Sequence, residues 1–272
     1  MMCLRRNLPV LVAIALGGAA CATAPEPDSG FLSRYDGLTA RTDTVRASIR
    51  QRRDDTLVQA ITALHIEPAV SVEGAGQGLE PEEVNLVLRE LDRQVCYELS
   101  RRFTLLEVPA PNSARVRIAA TRISATGQAG SVASAVAGHF LPGPIGLRAP
   151  GTTGGLAAEA ELITPQGQQA GAVVFARNAT VVGTDNPSLS RVGDAHQLTR
   201  AFADAVAAAF AAKDREAQAV PEPDPCAAFG PRFRPEGIAV RFVTGLYEPG
   251  LSGARPEASA PAASAQEPPE PQ

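Results

Sequence analysis

Leu64, Ile66, Val70 and Val72 alternate with His65, Glu67 and Ser71, a period of two that marks a half-buried strand. Pro68 interrupts the alternation and, lacking an amide proton, predicts an edge or a bulge at that point. Beyond it Val84, Leu88, Leu91, Val95 and Leu99 recur at spacings of three and four, so the period becomes that of an amphipathic helix. Pro81 stands in its first turn with Glu82 and Glu83 beside it, and Arg101 and Arg102 close the far end, both arrangements in the sense that suits the helix dipole. Three further alternating stretches predict strands at residues 103–108, 115–124 and 156–163, the last with Glu159 and Glu161 on its outer face. Residues 165–168 (PQGQ) form a turn and residues 172–182 return as a fifth strand, which makes the last pair a hairpin. Asp194 is placed to cap a final helix in which Leu198, Phe202, Ala205, Ala209 and Phe210 share one face. The order β-α-β-β-β-β-α predicts an α+β fold: a two-layer sandwich, its sheet mostly antiparallel, with two helices packed on one face.

The first residues follow another logic. Arg5 and Arg6 precede an apolar run over residues 8–16, and small residues follow, which is the make-up of an export signal. The run is about half of the ~20 residues that cross a bilayer as a permanent helix, and no longer apolar stretch occurs in the chain. Gly17-Gly18-Ala19-Ala20-Cys21 resembles the lipobox of bacterial lipoproteins, which implies that Cys21 is lipidated and becomes the first mature residue. Ala20-Cys21-Ala22 also satisfies an ordinary Ala-x-Ala cleavage site. Acyl chains supply about 0.8 kcal/mol per buried CH2, so several on Cys21 would hold the protein to a leaflet. No Asp follows the cysteine, and resemblance to proteobacterial sorting then implies the outer membrane, with the domain facing the periplasm.

This divides the chain into a signal peptide (1–20), a lipidated cysteine with tether and docking segment (21–56), an α+β domain (57–215), an extended arm (216–253) and a disordered tail (254–272). In the docking segment, Phe31-Leu32-Ser33-Arg34-Tyr35 is an abrupt return of large apolar groups after a polar, Pro-containing tether. Ile238, Val240 and Phe242 alternate within the arm. The tail is built of Ala, Pro, Ser and Glu and has too little apolar surface to offset its ordering entropy.

Composition narrows the function classes. Of 272 residues, 44% are hydrophobic and 20% charged, with a net charge of -4; this excludes a membrane bundle and a wholly disordered chain, and it lacks the basic footprint of a nucleic-acid binder. Cys3 leaves with the signal and Cys21 is taken by the anchor, so Cys96 and Cys226 remain in an oxidising compartment, where they either pair or stay as two thiols. His65, His139 and His196 are scattered, and no C-x-x-C occurs, so no metal or cofactor is expected. Gly74-Ala75-Gly76-Gln77-Gly78 imitates a dinucleotide fingerprint, but its third glycine comes one residue early and Glu82 and Glu83 would repel phosphate at the helix start. The G-x-S-x-G elbow is missing as well, and no catalytic residue is assigned. Residues 127–155 are long for a loop inside a compact domain. Val132, Val136, Phe140 and Leu141, spaced there among Gly, Ala and Pro, either form a short helix over residues 131–140 that closes the sheet or offer a surface to a partner or the adjacent leaflet.

Several motifs in order also carry a family resemblance. Phe31-Leu32-Ser33-x-Tyr35 soon after the anchor cysteine, His65-Ile66-Glu67-Pro68-Ala69-Val70, the Pro81-Glu82-Glu83 helix start and Ser190-Arg191-Val192-Gly193-Asp194-Ala195 before the last helix together resemble a family of proteobacterial lipoproteins that carry a domain of unknown function. The resemblance covers residues 21–213 and implies location and architecture, with no catalytic residue to transfer. The expectation is a non-enzymatic, lipid-anchored envelope protein that binds or scaffolds a periplasmic or outer-membrane partner. The competing expectations are a periplasmic enzyme with a dispersed site and a structural lipoprotein whose tail contacts the cell wall.

Overall fold

The computed structural model describes residues 23–140, 146–148, 151–183 and 185–254. In chain order its strands are β1 (Thr39–Ala40), β2 (Ala47–Arg53), β3 (Ala63–Ile66), β4 (Val70–Ser71), β5 (Thr104–Leu105), β6 (Ala114–Ser124), β7 (Gly146–Leu147), β8 (Gly155–Ile163), β9 (Gln169–Asn178) and β10 (Val182–Gly183). The helices are α1 (Asp55–Ala60), α2 (Pro81–Ser100), α3 (Gln128–Phe140), α4 (Gly193–Phe210), α5 (Pro235–Thr244) and α6 (Pro249–Ser252). One eight-stranded sheet runs β1-β2-β9-β8-β6-β3-β5, with β4 also paired to β6, while β7 and β10 form a separate two-stranded ribbon. The pairs β1/β2, β2/β9, β9/β8 and β8/β6 are antiparallel, and β3, β4 and β5 join in parallel. The chain is therefore α+β with a mostly antiparallel open sheet.

Strand β6 shows how sequence sets the two faces. Val116, Ile118 and Ala120 point at the helices and are buried. A bulge between Ala120 and Arg122 shifts the phase, so Ile123 rather than Arg122 enters the core, as an inserted residue requires in a period of two. Helix α2 lays Val87, Leu91, Val95 and Leu99 on the sheet, all fully buried. Its start is fixed by Pro81 at the first position and by the Glu83 carboxylate, which accepts the Glu80 N–H at 2.9 Å. Helix α4 contributes Leu198, Phe202, Val206 and Phe210, and Phe202 meets Phe175 edge-on at 5.7 Å. α4 lies close on the sheet at Gly171, where a Cβ would stand 2.9 Å from the Phe210 ring. Pro68 separates β3 from β4, two pieces that both pair with β6.

The predicted order of elements omits the two strands before residue 57 and the β7/β10 ribbon. Residues 47–53, placed in the docking segment, form β2, paired with β9 from Ala47↔Arg177 to Arg53↔Gly171. The arm is likewise not extended over its length: the alternation of Ile238, Val240 and Phe242 lies in helix α5, with Pro235 in its first turn and Gly245 left-handed (φ 71°) at its end. Asp194 differs too, because α4 begins at Gly193 and the Asp194 carboxylate turns inward instead of capping. It pairs with Arg148 at 2.5 Å and accepts the Gly154 N–H at 2.7 Å, all within the interior.

The outer face of the sheet is covered by residues 23–38, which run over β8 and β9 as a strap. Leu32 packs on Ala172 and Val174, flanked by Phe31, Tyr35 and Leu38. Glu159 and Glu161, predicted on the outer face of β8, are on that face but have no solvent exposure. Glu159 accepts from the Ser29 hydroxyl and the Tyr35 hydroxyl, each at 2.7 Å. Glu161 pairs with Arg117 at 2.5 Å and accepts from the Ser33 N–H and Gln169 at 2.9 Å each. Arg117 also stacks over the Phe31 ring at 4.6 Å. Farther along, Arg50 holds Asp28 at 2.6 Å and Arg122 holds Glu26 at 3.2 Å. Each carboxylate is thus matched by donors, the condition under which a charge is tolerated away from water.

Candidate functional site

The other side of the molecule is built by the C-terminal arm lying against α2 and α4. Cys96 on α2 is joined to Cys226 by a disulfide, with Cα atoms 6.0 Å apart. A short 3-10 turn, Ala227–Phe229, follows it. Tyr97, next to Cys96, donates its hydroxyl to the Gly230 carbonyl at 2.6 Å, and Arg232 covers its ring at 4.3 Å. One turn back, Arg93 pairs with Glu90 at 2.7 Å and donates to the carbonyls of Pro231 and Arg232 at 3.2 Å each. The chain ends its described course with the Ala254 N–H donating to Glu90 at 2.7 Å.

Glu90 is also 3.7 Å from Nε2 of His196, whose Nδ1 meets the Tyr247 hydroxyl at 2.8 Å. Carboxylate, imidazole and phenol in sequence have the composition of an acid–base relay. The imidazole is held out of water. His196 is wholly enclosed, and desolvation lowers its pKa against the opposing pull of Glu90; burial likewise raises the pKa of the Tyr247 phenol far above its ordinary value. Gly253 closes the group, since a Cβ there would stand 2.3 Å from His196 Nε2 and 2.9 Å from Glu90. The arrangement is a clamp that holds residues 247–254 on the helices, with Gly253 packed directly against the imidazole.

What the clamp displays is apolar. Helix α5 leaves Phe242 89% and Val243 73% exposed, with Ile238 at 45% and Phe233, just before it, at 66%. Four large apolar groups on one short segment exceed the scatter of single exposed residues that needs no explanation. Val132 on α3 is also exposed, and Ala135 lies beneath Gly245 at the end of α5. Val136 and Phe140 belong to the backbone of α3, while Leu141 and Cys21 fall outside the described residues.

A second feature lies beside the disulfide. A cavity of about 200 Å3 opens between α2, β3, β5 and the 3-10 turn, with Ile66, Leu105 and Phe229 among its apolar lining and His65, Asp92 and Glu107 as its polar lining. Asp92 accepts the Ala69 N–H at 2.8 Å, immediately after Pro68, and His65 Nδ1 donates to the Leu106 carbonyl at 3.0 Å. Burial pushes the Asp92 carboxyl up to about 7. Sequence reasoning left Asp92 aside because its position on α2 reads as an ordinary polar position between core residues. The signal that could have found it is the break at Pro68, which leaves Ala69 N–H in need of an acceptor. Among the described residues no group of three metal-ligating side chains converges, and no helix is long and apolar enough to cross a membrane.

Fold and surface together define a sheet-and-helix domain sealed on one face by an N-terminal strap and on the other by a disulfide-tied arm. The chain belongs to the family described as "Protein of unknown function (DUF3313)", whose model matches residues 27–206. That span takes in the strap, the sheet and most of α4, and ends before the disulfide-tied arm. Two solved structures of the PelC dodecamer from Paraburkholderia phytofirmans are similar at 10% identity, covering 59% of this chain and 96% of theirs, with TM-scores of 0.34 and 0.33. No curated protein matches the chain.

Proposed function

We propose that this protein is a lipid-anchored envelope lipoprotein that binds a protein partner of the periplasm or outer membrane and performs no catalysis. The observation that carries the reading is the apolar surface of α5, displayed by an element that a disulfide and the Glu90–His196 clamp fix to the helices. A surface pre-organised in this way loses little conformational entropy on association. The enclosure of His196 supports a structural use of the group with the most acid–base character. The anchoring part of the reading comes from the export signal and Cys21.

A photo-crosslinking residue at Phe242, introduced into the full chain in cells, tests the surface. The expected result is an adduct of one defined mass that disappears when Ile238→Asp is added. A Phe242 probe that yields no adduct, or one insensitive to Ile238→Asp, overturns it. Anchoring is tested separately: Cys21→Ala should release the protein from the membrane fraction, and a variant that stays there removes the anchor from the proposal.

A further inference from the structure

The cavity beside the disulfide has a composition that selects its occupant by charge. An apolar cavity of about 150 Å3 holds benzene, so about 200 Å3 admits one ring or a short chain with a small polar head. Two carboxylates, Asp92 and Glu107, and one imidazole, His65, line it. The chain contains 25 Lys and Arg residues, and none of them is among the described residues lining this space. An anion would therefore meet two acidic side chains, Asp92 carrying its charge above about 7, and no Lys or Arg among the described lining residues. Among the described residues Asp92 is held by a backbone N–H and by no basic side chain, which leaves its carboxylate in need of a positive partner when ionised.

We infer that this cavity is a receptor for a small organic cation, a primary ammonium compound whose ring or chain packs on Ile66, Leu105 and Phe229 while its charged head pairs with Asp92. This site is independent of the α5 surface and of the anchor. It also gives the disulfide a second consequence, because Cys96 and Pro225 both line the cavity, so the bond that ties down the arm also holds one side of the site in place.

The test uses the full chain and three probes of similar size: benzylamine, benzyl alcohol and benzoate. In amide-resolved NMR titrations, benzylamine should give saturable shifts at Ile66, Ala69, Leu105 and Phe229. Benzyl alcohol should bind at least about tenfold more weakly, a difference of ~1.4 kcal/mol, and benzoate should give no saturable shifts. Asp92→Asn keeps an acceptor for the Ala69 N–H and should reduce benzylamine affinity at least about tenfold with the fold retained. Leu105→Trp, which fills the space without touching the charge, should abolish binding of both benzylamine and the alcohol. Binding of benzoate as tight as benzylamine, unchanged affinity in Asp92→Asn, or the absence of saturation with benzylamine overturns the inference.

Discussion

The Tyr35 hydroxyl donates to Glu159 at 2.7 Å while accepting the backbone N–H groups of Gly30 and Leu32 at 2.8 and 3.1 Å. One phenol thereby closes the turn of the strap and satisfies a carboxylate buried in the middle of the sheet. Phe31, Leu32, Ser33 and Tyr35 divide the work. Leu32 supplies apolar contact, Ser33 binds Glu161, Tyr35 binds Glu159, and Phe31 takes the Arg117 guanidinium.

Tyr35→Phe removes the donor to Glu159 and the acceptor of two amides at constant ring volume. A hydrogen bond to a charged group contributes about 1.5–3 kcal/mol, so the variant should lose at least that much stability in urea denaturation. Hydrogen exchange should rise across residues 29–38 before it rises in β8. In a double-mutant cycle, Glu159→Gln should make the Tyr35→Phe loss smaller by more than 0.5 kcal/mol, the lower limit expected for contacting residues.

Cys226→Ser, paired with Cys96→Ser, should loosen the arm. The bond closes a loop with a sequence separation of 130, for which the chain-entropy model gives at most about 5 kcal/mol. Limited proteolysis should then cut within residues 216–253 while the 57–215 core persists, and reductant should reproduce the effect in the unmodified chain.

His196 makes the arm sensitive to acid. Its pKa is lowered in the fold by burial, from an ordinary value of 6.5. The unfolded chain takes up a proton below that value and the folded one does not, so the contribution is full above 6.5 and falls as pH drops below it. Urea titrations between pH 8 and pH 5 should show the advantage of the native chain over His196→Gln shrinking toward acid.

Asp92 acts in the opposite sense. Its carboxyl is pushed from 3.8 up to about 7, so the fold favours the protonated form and loses stability as pH rises between those values. The full displacement corresponds to roughly 4 kcal/mol, and contact with solvent on the cavity side reduces it to about 1–2 kcal/mol. Asp92→Asn should therefore be more stable than the native chain at pH 8 and equal to it near pH 4.

Periodicity revealed the core elements because one face of each meets apolar neighbours: α2, α4, β6, β8 and β9 lie within a few residues of the predicted bounds. It failed where charge replaces that contrast. In β2 the sequence ASIRQRR looks too polar for a sheet, since Arg50 and Arg52 occupy a face covered by the strap and find Asp28 and Gln169 there. Glu159 and Glu161 likewise read only as outer-face residues, because the strap groups that cover them, Ser29 and Ser33, are about 130 positions away. In α5 the alternation of Ile238, Val240 and Phe242 is too short to set the period, and Pro235 and Gly245 are the better guide. The cavity was not legible at all, being assembled from β3, α2, β5 and the arm.

Both seals join parts of the chain made far apart in time. Ser29 and Glu159 are separated by 130 positions, as are Cys96 and Cys226. At about 5–20 residues per second of synthesis, the strap waits roughly 6–26 s for the carboxylates that will hold it. Throughout that interval Phe31, Leu32 and Tyr35 have no sheet to rest on, so the strap is the last part of the outer face to be satisfied although it is the first part of the domain to be made.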